Sequence, residues 1–468
     1  MNAKNLFSAA CIAAILGVFA ACGDPADSKL VTVSGATLAE KLQWLDNNAA
    51  SNTGYLLKIT AAFEELDPHN LSYFGSNITI HLKGMGNDRA VSLADKGPLF
   101  TVNNGVTLVL DNITLTGAGG NHHGLVQVNS GGSLQLNPGA KIAGNGGSGV
   151  HNNGGTITMT GGEISGNSGS GVQNDVFYTA IDGEYIHING TFTMTGGTIS
   201  DNTFSGFEGG GVYNNGTFTM TGGEIAGNNG SGVHNNGTFT MTGGKISDNT
   251  SLAFDGGGVH NGVIYTLIDG VYGAVSGTFT MAGGEISGNT SSYGGGVSNH
   301  GMFTMEDGTI SGNTCSIGGG VDNHGTFTMT GGTIFGNTAF FYGGGVSNRV
   351  TYTYSYEGYI PDGSFIMTGG EIAGNNALSY GGGGYVGNEA VLDKTGGTIT
   401  GYTEGDSDSN AVTDDSGVVQ NGQGHAVYAY HDDDMYIKQK ETTDGPGDDL
   451  LSYNGKFDPP VWSGKWDN

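Results

Sequence analysis

The chain has 468 residues and a formal net charge of −28, set by 15 Lys and Arg against 43 Asp and Glu. Phosphate binding needs clustered cations, so nucleic acid is excluded as a partner and polyanionic glycans are disfavoured. Gly is abundant at 91 residues while charged residues make up only 12%; with no strict Gly-X-Y period collagen is excluded, and many tight turns are implied.

Residues 1–22 place Lys4 before an apolar run from Leu6 to Ala21, too short to span comfortably as a transmembrane helix and patterned as a signal peptide. The run ends in Phe19-Ala20-Ala21-Cys22, which resembles the bacterial lipobox, with Phe19 in place of the usual Leu. That resemblance implies lipidation of Cys22, a tether over residues 23–30, and membrane contact only through the lipid. Beyond this segment Cys315 stands alone, so no intramolecular disulfide is expected.

Residues 31–104 read as an N-terminal cap and first coils. Thr37-Leu38-Ala39-Glu40 fits a capping box, and Leu38, Leu42 and Leu45 fall at helical spacing. Strands are expected near 55–60 and 78–83.

Residues 105–403 carry a tandem repeat, Gly-Thr-Phe-Thr-Met-Thr-Gly-Gly-x-Ile-x-x-Asn, then a variable turn and Gly-Gly-Gly-Val-x-Asn. Its landmark methionines include Met220, Met241, Met281, Met305 and Met329. Phe and Met share one parity of the first strand and Thr the other, while a second strand contributes Ile and a third Val. One such unit cannot bury an apolar face alone, but stacked units can, which predicts an all-β solenoid: a parallel β-helix with three strands per coil. The Asn after each second strand, from Asn145 to Asn375, is expected to stack as a structural ladder. The residue before each Ile alternates so that no two Glu follow one another, as stacked like charges require. Residues 404–468 read as a C-terminal cap.

Three insertions follow the third strand at every third coil: 175–189, 262–276 and 349–363. Each places two β-like runs around Asp-Gly or Glu-Gly, which predicts hairpins. Their aromatics, Phe177, Tyr178, Tyr185, Tyr265, Tyr272, Tyr352, Tyr354, Tyr356 and Tyr359, are the candidate binding residues, because Tyr-rich patches anchor protein contacts and stack on sugars.

The stretch Ile286–Asn299, ISGNTSSYGGGVSN, resembles the GGA(I/V) and FxxN repeats of chlamydial polymorphic outer-membrane proteins. More broadly, residues 142–399 resemble right-handed parallel β-helices of the pectin-lyase-like superfamily. That resemblance implies an envelope location and allows polysaccharide lyase or hydrolase activity as an alternative. Catalytic relatives gather Asp with Arg, Lys or His on one face, and no such constellation is legible here. His151, His234, His260, His300 and His324 recur after the third strand and read as solvated turn residues. The expectation is therefore an outer-membrane, lipid-anchored, monomeric rod. It displays a binding or adhesion surface to a host protein or glycan, without catalysis, cofactor or metal.

Overall fold

In the most regular coils of the chain, alternation along Thr-Phe-Thr-Met sends two side chains inward and two outward. The computed structural model describes residues 30–467, apart from 182–183, 205–208, 253–255, 269–270, 351, 356–357, 362, 432–435, 445–450, 455 and 457–459. Cys22 and the whole leader lie outside the described residues. In Thr217–Met220, Phe218 and Met220 are fully buried while Thr217 and Thr219 face out. The same strand in the next coil pairs in parallel and in register, Thr217↔Thr238 through Met220↔Met241. Register therefore sets like on like, and the architecture is an all-β parallel β-helix with one helix among the described residues.

Three strand columns run the length of the rod. The first stacks from Gly54–Ile59 to the start of Val391–Ile399, the second from Phe63–Leu66 to the end of that same strand. The third runs from His69–Leu71 to Val427–His431. A short fourth column lies within the variable turn: Thr314–Ile317, Thr338–Tyr342, Asn376–Ala377 and Ala411–Val412. Single bridges extend it backward through Thr290, Thr250 and Asn229 to Thr203.

The interior is a set of ladders. Phe192, Phe218, Phe239, Phe279, Phe303, Phe327 and Phe365 stack with centroids 4.7–4.9 Å apart and planes within 6°, the spacing of neighbouring strands. Burying each ring contributes about 1.5–3 kcal/mol, so the array holds by summed neighbour contacts. The Gly-Gly bend between the first two columns is forced by this packing. Gly244 has φ +86°, and a Cβ there would lie 2.6 Å from Met220 Cε.

Two Asn ladders, both fully buried, satisfy the corners. The first begins earlier and ends later than the repeat suggests: Asn121 donates to Asn145 at 2.9 Å, and Asn375 donates to Asn410 at 3.0 Å. The motif places Tyr402 where Asn is expected, but a longer turn brings Asn410 to the ladder instead. The second ladder, Asn152 to Asn348, belongs to the third strand, with each Nδ2 donating to the next Oδ1 at 2.7–2.8 Å. On the outside of the second column, Lys141–Glu163 (2.8 Å) and Lys245–Glu285 (3.4 Å) pair across successive coils.

Both ends of the rod are covered. The helix Leu38–Asn48 buries Leu38, Leu42 and Leu45 over the first coils, and Thr37 Oγ1 accepts from the Glu40 amide. At the far end Leu451–Asn454 pairs antiparallel with Val391–Lys394, and Tyr436–Lys440 with Val427–His431. Lys394 occupies the register of Met367, inside the rod, and its ammonium lies 2.6 Å from Asp444 with both buried.

Candidate functional site

The third strand ends in Asn, whose side chain is committed to its ladder, so the next residue begins either a tight turn or an insertion. Three insertions leave the rod at this corner. Val176–Ile181 pairs antiparallel with Glu184–Asn189, Val263–Ile268 with Val271–Ser276, and Tyr352–Ser355 with Gly358–Pro361. Their chain ends meet at the rod: the Gly190 amide donates to Asp175 O and the Gly277 amide to Gly262 O, each at 2.8 Å.

Of the candidate binding residues, Phe177 and Tyr178 are described in full. Phe177 is half-buried over Gly154, whose added Cβ would lie 2.6 Å from Phe177 Cβ. Tyr178 takes the opposite parity, is 60% exposed, and meets His187 edge-on at 4.7 Å. The side chains of Tyr185, Tyr265, Tyr272, Tyr352, Tyr354 and Tyr359, and the whole of Tyr356, lie outside the described residues.

The first and third hairpin roots are gripped by different polar clusters on the outward side of the third strand, and the second is closely packed. At the first, Asp175 receives His151 Nε2 (3.1 Å), Gln173 Nε2 (2.8 Å) and Asn215 Nδ2 (2.8 Å). Burial would raise the Asp175 carboxyl, but these partners outweigh it and hold the group below its ordinary value. At the second, Gly262 leaves no room for a side chain, since a Cβ would lie 2.6 Å from Asn236 Oδ1 and 3.1 Å from His260 Nε2.

The third root is a charged cluster. Arg349 Nη2 and Nε donate to Asp322 at 2.6 and 3.2 Å, and His324 Nε2 lies 3.2 Å from both Asp322 Oδ2 and Arg349 Nη2. Asp322 is fully buried, so desolvation works against its charge. The charges and hydrogen bonds of His324 and Arg349 prevail and hold the carboxyl at about 2. The guanidinium also sits 5.5 Å over the Tyr293 ring, contributed by the turn column. Tyr342, Tyr380, Tyr385 and Tyr428 stack beyond it at 4.5–6.2 Å.

The recurring histidines are not solvated turn residues. Tyr213, His234, His260, His300 and His324 form one ladder of rings with centroids 4.6–5.3 Å apart, half-buried against the strand. Burial, then the neighbouring His324, lowers His300 to about 4, and burial with His234 and His300 lowers His260. The signal available in the sequence was His placed after Val or after Val-x-Asn in successive repeats.

Asp322, His324 and Arg349 come from adjacent coils and contain one carboxylate among them, and Ser298 and Ser347, in register beside Asp322, are fully buried. Glu306 and Asp307 are exposed on the other side of the coil, and Asp307 accepts from the following Gly308 amide at 2.8 Å. Cys315 is buried and its thiol pushed up to about 12 by that burial. Among the described residues no group of three His, Cys, Asp or Glu is arranged to hold a metal, and no helix is long and apolar enough to cross a membrane. Asp414 turns its carboxylate onto the amides of Ser416 and Val418 at 2.9 and 3.0 Å. No family model, curated protein or solved structure matches the chain.

Proposed function

We propose that this chain is a lipid-anchored rod of the bacterial cell envelope, displayed at the surface, that binds a host protein or a glycan through its hairpins and performs no catalysis. The observation that carries the reading is the repetition of one device. Three hairpins leave the same corner of the coil, and the first and third roots are each fastened by their own polar cluster while the coils are occupied by packing ladders. Rigid roots limit the ordering cost that exposed aromatics pay on binding, and Tyr178 offers such an aromatic at 60% exposure. Lipid attachment at Cys22 rests on the lipobox resemblance alone, and labelling cells with a fatty-acid probe, with and without Cys22→Ser, tests it.

Because the chain ends meet at each root, residues 176–189, 263–276 and 352–361 can be excised with the coil left closed. The mature rod and the three-hairpin deletion are to be compared on glycan and host-protein arrays. Binding by the intact rod that is lost on excision supports the proposal; equal binding by both sinks it. A carbohydrate-active enzyme is the second reading, favoured by the Asp322–His324–Arg349 cluster across adjacent coils. It requires polysaccharide turnover by the intact rod that Asp322→Asn abolishes.

A further inference from the structure

Single exposed apolar side chains are ordinary on a folded surface, but a concentration of them at one end is not. Val31, Trp44, Phe63, Phe74 and Met85 are all exposed, Phe74 completely. After Met85, no large apolar side chain among the described residues is exposed again until Tyr178 in the first hairpin. Topology gathers these five at the N-terminal end of the rod. Val31–Thr32 pairs beneath Gly54–Ile59, the lowest strand of the first column. Phe63 opens the lowest strand of the second column, and Phe74 follows the lowest strand of the third. Met85 lies in the bend of the coil above. Trp44 stands on the capping helix, edge-on to Tyr55 at 6.0 Å. The Leu38 amide donates to Glu64 Oε2 at 2.6 Å, which ties the start of that helix to the strand that Phe63 opens.

We infer that this apolar rim is a membrane-seating surface: the base of the rod rests in the headgroup region of the bilayer that holds the Cys22 lipid, and the coils stand away from it. This inference rests on the reading of Cys22 as lipidated, to which it adds a second contact with the same membrane.

Reach and charge both select a lipid surface as the occupant. Eight residues separate Cys22 from Leu30, where the described chain begins. Fully extended, they hold the base within about 28 Å of the lipid attachment. Residues 29–96 carry six Lys and Arg against seven Asp and Glu, whereas residues 97–468 carry eight against 34. An anionic leaflet therefore repels the body of the rod and leaves the nearly balanced base free to approach. Trp suits the boundary, because its ring is apolar while its N–H stays wet. Phe63 and Phe74 supply the apolar area that an interfacial contact buries.

The test couples the mature chain, beginning at Cys22, through the Cys22 thiol to maleimide-bearing lipids in phosphatidylcholine–phosphatidylglycerol vesicles. Cys315 is 1% exposed and stays uncoupled. Brominated acyl chains quench a tryptophan that enters the bilayer. Trp462 and Trp466, the other two in the chain, belong to the closing segment at the far end. Emission of the wild type should be quenched at least about twofold more than that of Trp44→Phe. Phe63→Ser/Phe74→Ser changes two exposed positions and leaves the core intact, and it should lose most of that difference. Equal quenching of the wild type and Trp44→Phe, or undiminished quenching in the double serine variant, overturns the seating. Fatty-acid labelling of Cys22 in cells stays a separate readout. Labelling without Trp44 quenching sinks the seating alone, and Trp44 quenching without labelling sinks the anchor reading alone.

Discussion

Arg349 Nη2 lies 2.6 Å from Asp322 Oδ2, and the carboxylate it meets is fully buried on the third strand of the preceding coil. One charge at the start of an insertion is thus tied to one charge inside the array. Removing a single partner leaves the other buried without compensation, at a cost of about 3–5 kcal/mol. Asp322→Ala should lower the unfolding free energy by about that amount in urea denaturation. Arg349→Lys keeps the charge but loses the second donor, Nε at 3.2 Å, and should cost about 1.5–3 kcal/mol.

The same pair sets a pH window. The Asp322 carboxyl is held at about 2 against an ordinary 3.8. A depressed folded value contributes stability that is complete above about pH 4 and is lost as pH falls through 2. That contribution is roughly 2 kcal/mol. The stability difference between the wild type and Asp322→Asn should hold constant from pH 7 to 4.5 and shrink between pH 4 and 2. A difference that persists unchanged at pH 2 would show that the cluster does not depend on the charge.

Asn249 is a central rung of the first ladder. Its amide nitrogen donates to Ile225 O and Asn289 Oδ1 at 3.0 Å, and its oxygen accepts from Asn228. Asn249→Ala strands several buried partners, each costing about 1–3 kcal/mol, so a loss of at least about 3 kcal/mol is expected. Asn249→Asp can accept from Asn228 but cannot donate unless protonated. That variant should therefore be more stable at pH 5 than at pH 8, by thermal or urea unfolding. The opposite order would mean the rung works by shape alone.

How much of this was legible follows from what repeats. Phe218, Met220, Ile225 and Val233 recur with fixed parity, so the coil, its inward face and the first Asn ladder could be read directly. The second ladder was visible as the Asn of Gly-Gly-Gly-Val-x-Asn, yet its stacking was not read, because one short strand gives no parity test. Asn410 was hidden by a turn of different length. The root clusters were hidden for a deeper reason: Asp322 and Arg349 are 27 residues apart and belong to positions that vary from coil to coil. Periodicity identifies what is common to the coils. Contacts between positions that differ emerge only once the register is known.

Gly244 tests the bend that links the first two columns. At φ +86° an L side chain is strained, and its Cβ would press on Met220 Cε at 2.6 Å and Gly223 O at 2.9 Å. Gly244→Ala should cost about 1–3 kcal/mol. Gly166, also at positive φ but with nothing within 4 Å of an added Cβ, should cost less when changed to Ala. Equal losses in urea denaturation would assign the whole effect to φ and none to the methionine ladder.

Lys394 and Asp444 offer the sharpest test of how the rod is closed. Every coil from Met159 to Met367 places Met at this register, and the last coil alone places Lys, 3% exposed, against an Asp from the closing segment at 1%. Asp444 also exchanges both backbone hydrogen bonds with Ile399, at 2.9 and 3.0 Å, so the ion pair and the bridge fix the same point. Asp444→Ala, or Lys394→Met by itself, leaves one buried charge alone and should cost about 3–5 kcal/mol. Lys394→Met together with Asp444→Leu continues the methionine ladder and removes both charges, so its stability should return to within about 1 kcal/mol of the wild type or exceed it. A double-mutant cycle reads the coupling directly. Losses that simply add would mean the two side chains do not depend on each other, and the closure would then rest on the strand Leu451–Asn454 and its pairing with Val391–Lys394.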